Sequence, residues 1–342
     1  MPSWVNHRAS AHPGVLPRSA VSTPTWVDRL RRGVWPALLA WAVAACSPAA
    51  TGSAGPVPSN PAVSPNAPST IPSTRVVVMR TADGNRSTIV HHPMNVRPGA
   101  PLVVVLHPAG ASARDMEANF GWDAVADRNG LVVAYPDGAL DGFQDTWNGG
   151  RCCPPASDLR TDDVGFLDAL VTVLRRIDHV GDEVFSVGFS NGAIMSYAWA
   201  CARPGALAGI GIVAGAVMAD CSSPAPITVV AVHGTVDDRI PIGGGPGPDG
   251  AAFPALAVSL DPFRTADGCG AHPEVTQLFS ARIAIWRCPN GRRIVTDVVK
   301  GLDHAWPGAG PTAGSTDGPR DATGFLWANL RPRSADRGSH SR

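Results

Sequence analysis

Five residues, Gly188-Phe189-Ser190-Asn191-Gly192, hold the chain's clearest chemical potential. An apolar run with β character, starting at Val184, ends at Gly188, and helical spacing begins just after Ser190. A serine between a strand and a helix in this Gly-x-Ser-x-Gly pattern sits on a sharp turn with its hydroxyl above the sheet. Glycines flank it because a Cβ there would strike the neighbouring strand or helix. The chemistry is nucleophilic attack. A serine hydroxyl is a weak nucleophile, so it needs a base, and the base needs an acid to orient it.

Ten histidines supply candidate bases. His7, His12 and His340 fall outside the expected folded region, and His91 and His92 lie on an early strand. His107, His233 and His304 each follow a strand on the side where such sheets carry their sites. His304 stands in Gly301-Leu302-Asp303-His304-Ala305-Trp306-Pro307-Gly308, after the last long strand. The chain order Ser, acid, His suits a base this late. The acid then falls in His233-Gly234-Thr235-Val236-Asp237-Asp238, where two aspartates compete. Adjacent side chains in a turn point apart, so one of Asp237 and Asp238 faces His304. An oxyanion needs two backbone N–H donors. Asn191 offers one at the positive end of its helix. The turn His107-Pro108-Ala109-Gly110 offers the other, and because Pro108 has no N–H, Ala109 is the best donor, with Gly110 behind it.

The elements that must position these groups alternate in type. Arg75–Arg80 and Ser87–His91 read as strands around an Asp83-Gly84 turn. Pro101–His107 and Leu131–Tyr135 are near-continuous apolar runs, as in strands covered on both faces. Ser112 can cap a helix running to about Asp127, and Thr161 or Asp162 starts another through Leu174. A long loop spans Asp137 to Arg160. Leu207–Val213 and Ile227–Val232 are further strands. A Gly/Pro-rich loop, Gly243–Gly250, precedes a weak helix toward Ala266. Val275–Phe279, Ile283–Trp286 and Ile294–Val299 are late strands, and Asp321 caps a final helix. This alternation predicts an α/β fold, a mostly parallel sheet with helices on both faces.

The 342 residues carry 28 Lys+Arg and 28 Asp+Glu, so no basic field points to nucleic acid. A basic flank ending at Arg32, the short apolar run Val34–Ala45 and then Cys46 read as an export signal too short to span a bilayer. Val43-Ala44-Ala45-Cys46 resembles the bacterial lipobox, in which the cysteine is acylated and becomes the first mature residue. The expected organisation is a signal peptide over 1–45, lipidated Cys46 with a Pro/Ser/Ala-rich tether over 46–73, a catalytic domain over 74–331 and a polar tail over 332–342. The tether has too few large apolar side chains to offset its ordering entropy. With Cys46 acylated, six of the seven cysteines remain, an even number for an oxidising compartment. Cys269 with Cys288 and Cys201 with Cys221 would close local loops, leaving Cys152 with Cys153 as a strained vicinal pair. A pairing that crosses these groups stays open. No metal site is expected, since Cys152-Cys153 has no ligand at a suitable spacing.

Several blocks together resemble the secreted polyhydroxybutyrate-depolymerase and feruloyl-esterase group of α/β-hydrolases. They are Leu106-His107, Trp147-Asn148 followed by Cys152-Cys153, Asp162-Asp163-Val164-Gly165-Phe166, Gly188–Gly192, His233-Gly234-Thr235 with Asp237, and His304 with Trp306-Pro307-Gly308. They span about residues 75 to 330. The resemblance implies an α/β-hydrolase fold and a triad of Ser190, Asp237 and His304, since in that group the acid stands two residues after His-Gly-Thr. It also implies that Trp306 helps line the substrate cleft. Trp147 is a second flat apolar wall in this reading. The family usually has glycine where this chain has Pro108, which reshapes the approach to Ala109. The implied protein is an exported, membrane-anchored or extracellular serine esterase. It would act without a cofactor on short-chain, aryl (feruloyl) or hydroxyalkanoate esters, small or polymeric. The other readings are a peptidase or acyltransferase with the same triad, and a non-catalytic binding lipoprotein.

Overall fold

The computed structural model describes residues 72–331, apart from 95, 140–144, 249 and 311–319. The expected signal peptide, Cys46, all but the end of the tether, and the 332–342 tail lie outside the described residues. Among those described, no helix is long and apolar enough to cross a membrane.

Ten strands form one sheet in the order β1-β2-β4-β3-β5-β6-β7-β12-β11-β10. Its middle is parallel: β4 (Val132–Pro136), β3 (Leu102–Leu106), β5 (Val184–Phe189), β6 (Gly209–Val213), β7 (Thr228–Gly234) and β12 (Arg293–Val299). Five of these, β3, β4, β5, β6 and β7, are runs the sequence marks as apolar, and they are buried throughout. Antiparallel strands close both ends, with β1 (Ser73–Thr81) and β2 (Gly84–His92) on one side and β11 (Ala281–Arg287) and β10 (Glu274–Gln277) on the other. The outermost strands β1 and β10 are largely exposed, while β2 and β11 next to the parallel centre are partly buried.

Helices cover both faces over two apolar cores. One core joins α4 (Asp163–Asp178), α5 (Asn191–Ala202) and α6 (Leu256–Ala266) to the sheet through Phe166, Leu170, Tyr197, Trp199 and Phe263. The opposite core joins α1 (Ala113–Asn119), α2 (Trp122–Asn129) and α7 (Ala322–Leu330) through Met116, Trp122, Leu326 and Trp327. Helix α5 is apolar nearly all round and buried from Asn191 to Ala200, which marks it as the central helix. Helices α1, α4 and α7 start where the sequence places their caps. The side chains of Ser112, Asp162 and Asp321 accept from the N–H groups of Asp115, Gly165 and Gly324.

Two expectations fail. The helix from Ser112 toward Asp127 is two helices, because Gly121 takes the left-handed conformation (φ 70°) and restarts the chain as α2. The Gly243–Gly250 loop is not wholly irregular: β8 (Gly245–Pro246) pairs with β9 (Ala252–Phe253). The long loop before α4 holds one short helix, α3 (Ala156–Leu159). Three disulfides form, Cys152–Cys153, Cys201–Cys221 and Cys269–Cys288. No pairing crosses these groups.

Candidate active site

Ser190 joins β5 to α5 with φ 55° and ψ −118°, a conformation that costs free energy in any residue with a Cβ. Its surroundings impose that turn. Its N–H donates to Val213 O at 3.0 Å, and Ile194 N–H donates to Ser190 O at 3.0 Å. A Cβ at Gly188 would lie 2.2 Å from the Gly192 carbonyl, and one at Gly192 would lie 2.2 Å from Leu106 O. Both glycines are therefore needed for strand, turn and helix to pack this closely.

His304 and Asp237 meet Ser190 from two other loops. Ser190 Oγ lies 2.8 Å from His304 Nε2, and His304 Nδ1 lies 3.0 and 2.9 Å from the two Asp237 oxygens. A proton on Nδ1 donates to the carboxylate and leaves Nε2 to accept from the serine hydroxyl. The His-Gly-Thr sequence has a structural reason here. A Cβ at Gly234 would sit 2.1 Å from Leu302 O, and Thr235 Oγ1 accepts from Gly301 N–H at 2.9 Å. Val236 N–H donates to Leu302 O at 3.0 Å, so the loop carrying the acid is stitched to the loop carrying the imidazole. Phe189, next to the serine, stacks on the His304 ring at 5.1 Å between centroids.

The two adjacent aspartates separate as turn geometry requires. Asp238 is exposed, and Asp237 is buried. Asp237 Oδ1 accepts from the N–H groups of Arg239 (3.0 Å) and Ile240 (2.9 Å). Burial pushes its carboxyl pKa up. Hydrogen bonds from His233 and His304, the His304 charge and the Ile240 N–H outweigh that and hold it well below the ordinary carboxylate value.

The other two histidines that follow strands serve the frame. His233 Nε2 donates to Ile240 O at 2.8 Å and faces Asp237 Oδ2 at 3.3 Å. His107 is spent on backbone: Nδ1 donates to Pro108 O at 2.9 Å, and Nε2 accepts from Gly138 N–H at 2.8 Å. Burial lowers its pKa. The N–H groups of Asn191 and Ala109 make no hydrogen bond among the described residues, and Ala109 is exposed. Gly110 N–H, by contrast, is bound to Asp145 O at 3.0 Å, which removes it as a donor. Among the described residues, one group of ligand-type atoms could hold a metal ion, Asp267 with Cys269 and Cys288, and its two sulfurs are joined in a disulfide.

No protein-family model matches the chain. Feruloyl esterase C of Emericella nidulans is 28% identical over 180 residues, covering 50% of this chain and 58% of that protein, less than two thirds of its length. NocK of Nocardia uniformis subsp. tsuyamanensis, named as an esterase by inference, is 31% identical over 317 residues, covering 79% of this chain and 89% of that one. The chain belongs to the feruloyl-esterase-like family of α/β-hydrolases. It is a carboxylic ester hydrolase. The fold agrees with that of a solved acetyl xylan esterase from Aspergillus awamori (TM-score 0.51, 14% identity, covering 67% of this chain and 94% of that one).

Two site expectations for the esterase need correction. Trp306 and Trp147 are both fully buried and present no wall to a substrate. Trp306 packs edge-on against Phe120 at 5.0 Å and Phe189 at 6.3 Å, and its indole N–H donates to Thr323 Oγ1 at 3.1 Å. It backs the ring that backs His304. Trp147 donates its indole N–H to His107 O at 3.1 Å and lies under the Arg86 guanidinium at 5.3 Å.

Sequence reasoning passed over the frame behind Trp147. Arg86 and Asp163 form a buried ion pair at 2.5 Å, their side chains 2% and 0% exposed. Asp163 Oδ2 also accepts from Asn148 N–H (2.7 Å) and Thr161 Oγ1 (2.8 Å), and Arg86 donates to Asp137 O at 3.0 Å. Asp163 stood in a recognisable block, but nothing local to Arg86 marks it as the partner.

Proposed function

We propose that the esterase is a serine hydrolase working through an acyl-enzyme. Ser190 Oγ attacks the ester carbonyl carbon while His304 Nε2 takes the hydroxyl proton, and Asp237 steadies the imidazolium. The Asn191 and Ala109 N–H groups hold the oxyanion of the tetrahedral intermediate. Collapse breaks the bond to the alcohol oxygen, which leaves with the proton from His304. Water then gives a proton to His304 and attacks the acyl carbon, and a second collapse frees the acid and restores Ser190. One observation carries this reading: the hydrogen-bond line of 2.8 Å from Ser190 to His304 and 2.9 Å from His304 to Asp237.

The substrates we propose are esters of small or aromatic acids. The relatives' names support this, as do Cys153 and Phe253, half-buried at the rim of an apolar cluster of Cys152, Ile194, Met218 and Ile240 that is itself closed to solvent. Ile194 and Ile240 bond directly to Ser190 and Asp237 through their backbones, so the cluster adjoins the reacting groups. A hydrolysis panel of feruloyl, acetyl-sugar, hydroxyalkanoate and simple short-chain esters, with a Ser190→Ala control, tests both parts. The control is expected to lose kcat by about 10⁴-fold or more with its fold unchanged. Near wild-type turnover by the control would remove Ser190 from the mechanism.

The place of action we propose is outside the cytoplasm, on a lipid anchor at Cys46. The Val43–Cys46 box supports this, and three disulfides suit an oxidising compartment. Cys46→Ala should leave the protein unprocessed or move it from the membrane to the soluble fraction on cell fractionation. An unchanged membrane share would rule out that anchor.

A further inference from the structure

We infer that Trp147 and the Asn191 side chain form a positioning clamp that sets the spacing between the two oxyanion donors. This rests on the reading of Asn191 and Ala109 as those donors. Asn191 is 1% exposed, and both polar atoms of its amide bind the same residue. Its Oδ1 accepts from Trp147 N–H at 2.7 Å and its Nδ2 donates to Trp147 O at 2.9 Å. Trp147 thereby pairs with the Asn191 side chain as one strand residue pairs with another.

Its indole reaches the other half of the site. Trp147 Nε1–H donates to His107 O at 3.1 Å, two residues before Ala109. The same loop holds the next residue as well, through the bond from Gly110 N–H to Asp145 O. One residue therefore spans from the β5–α5 turn, through its backbone, to the β3–α1 turn, through its indole, and those are the two turns whose N–H groups would meet the oxyanion. Trp147 itself is held from behind by Arg86 over its ring and by Asp163, which accepts from the next backbone N–H, Asn148. The Trp147 carbonyl collects two further donors, Gly149 N–H at 3.1 Å and Cys153 N–H at 3.4 Å.

The chemical reason for such a clamp is that oxyanion donors act by being fixed before charge develops. A displacement of about 1 Å in a reacting group costs on the order of 100-fold in rate. The Asn191 N–H itself adds no restraint, because it makes no hydrogen bond among the described residues.

Three variants test the clamp, each read as kcat per active site titrated with a fluorophosphonate, on protein with wild-type circular dichroism. Asn191→Ala keeps the backbone donor and removes both side-chain bonds. Trp147→Phe keeps a ring and both backbone bonds to Asn191 while removing the bond to His107 O. Each is expected to lose roughly 10- to 100-fold in kcat with KM within about threefold. Asn191→Asp keeps the acceptor for Trp147 N–H but turns a carboxylate oxygen toward Trp147 O. Protonation restores a donor there, so the ratio of variant to wild-type kcat should rise as pH falls. A purely structural role would lower the titratable fraction and leave kcat per site and that ratio unchanged. Wild-type kcat per site in both Asn191→Ala and Trp147→Phe would overturn the clamp, as would a flat ratio in Asn191→Asp. Should Asn191→Ala not fold, the near-isosteric Asn191→Asp and Trp147→Phe decide alone. Loss of the underlying mechanism would show differently, as turnover that survives Ser190→Ala.

Discussion

At the scale of single residues, Asp237 carries the most electrostatic work. It faces two histidines and two backbone N–H groups while shielded from water, and no other described carboxylate in the site is so surrounded. Asp237→Asn should therefore lower kcat/KM by about 10⁴-fold, because His304 would be held in the wrong tautomer. Asp238→Asn, at an exposed position, should stay within about twofold, since surface changes away from such networks have small effects. Steady-state kinetics on the two variants checks this, and a reversed order would move the acid to Asp238. The lowered pKa of Asp237 also sets a sign for stability. Its contribution is fully present above the unfolded carboxylate value near 4, and it fades as pH falls through the lower native value. The urea midpoint of Asp237→Asn should thus trail the wild type most near neutrality, and the gap should narrow below about pH 3. A gap that widens in acid would contradict the assignment of the shift.

The same scale shows what a sequence can reveal. Ser190 and His304 stood out because few residue types do this chemistry and their order along the chain is restrictive, whereas residue types and order left Asp237 and Asp238 open and only the family resemblance favoured Asp237. Trp147 and Trp306 misled for a physical reason. A tryptophan beside a motif has the same letters whether its ring faces solvent or packs behind the site. What separates the two cases is the partner of the indole N–H, and Thr323 and the His107 carbonyl are remote in sequence. Arg86 was invisible for the same reason, because its pairing with Asp163 crosses 77 positions.

At the scale of elements, the strands of the parallel centre were the most legible. Burial on both faces leaves short continuous apolar runs, the signal of a covered strand. Helix boundaries were legible where a side chain caps them, at Ser112, Asp162 and Asp321, and illegible at Gly121, where backbone conformation alone ends one helix and starts the next. The small β8–β9 pair escaped because strands of two residues carry no period. Disulfides divide by the loop they close. Cys201–Cys221 ties the end of α5 to the loop between β6 and β7, and Cys269–Cys288 ties the end of α6 to the end of β11. Their separations of 20 and 19 residues correspond to about 3 kcal/mol each in the chain-entropy view. Cys152–Cys153, with a separation of 1, closes almost no loop. Replacing both members of the Cys201–Cys221 bridge with serine should cost about 3 kcal/mol in chemical denaturation. The same change at Cys152 and Cys153 should cost far less by this route. Equal losses from both pairs would show that loop closure is not what these bridges supply.

At the scale of the whole molecule, the active edge of the sheet is what decides access. The chain passes from the end of β6 at Val213 to the start of β7 at Thr228 without a helix. That passage is short, and it is pinned by the Cys221 disulfide and by the bond from Val217 N–H to Ser259 Oγ at 3.1 Å. It therefore cannot supply a large apolar cover that swings away at a lipid surface. The apolar cluster beside the site is compact: Cys152, Ile194, Met218 and Ile240 are each nearly fully buried. Only its half-buried rim, Cys153 and Phe253, gives a ring or a short chain something to rest on, and with no long channel among the described residues each further methylene of an acyl chain would stay in water. Burying a methylene is worth about 0.8 kcal/mol, so a chain that finds no protein surface gains none of that binding. For nitrophenyl esters, kcat/KM is then expected to peak at short acyl lengths and fall steeply beyond them, with no jump in rate when substrate passes its solubility limit. Rates measured from acetate to palmitate, below and above that limit, decide the point. Rising activity toward long chains, with activation at the lipid–water interface, would require a cover or a channel that this edge does not contain among the described residues, and would overturn the reading of the edge while leaving Ser190, Asp237 and His304 where they are.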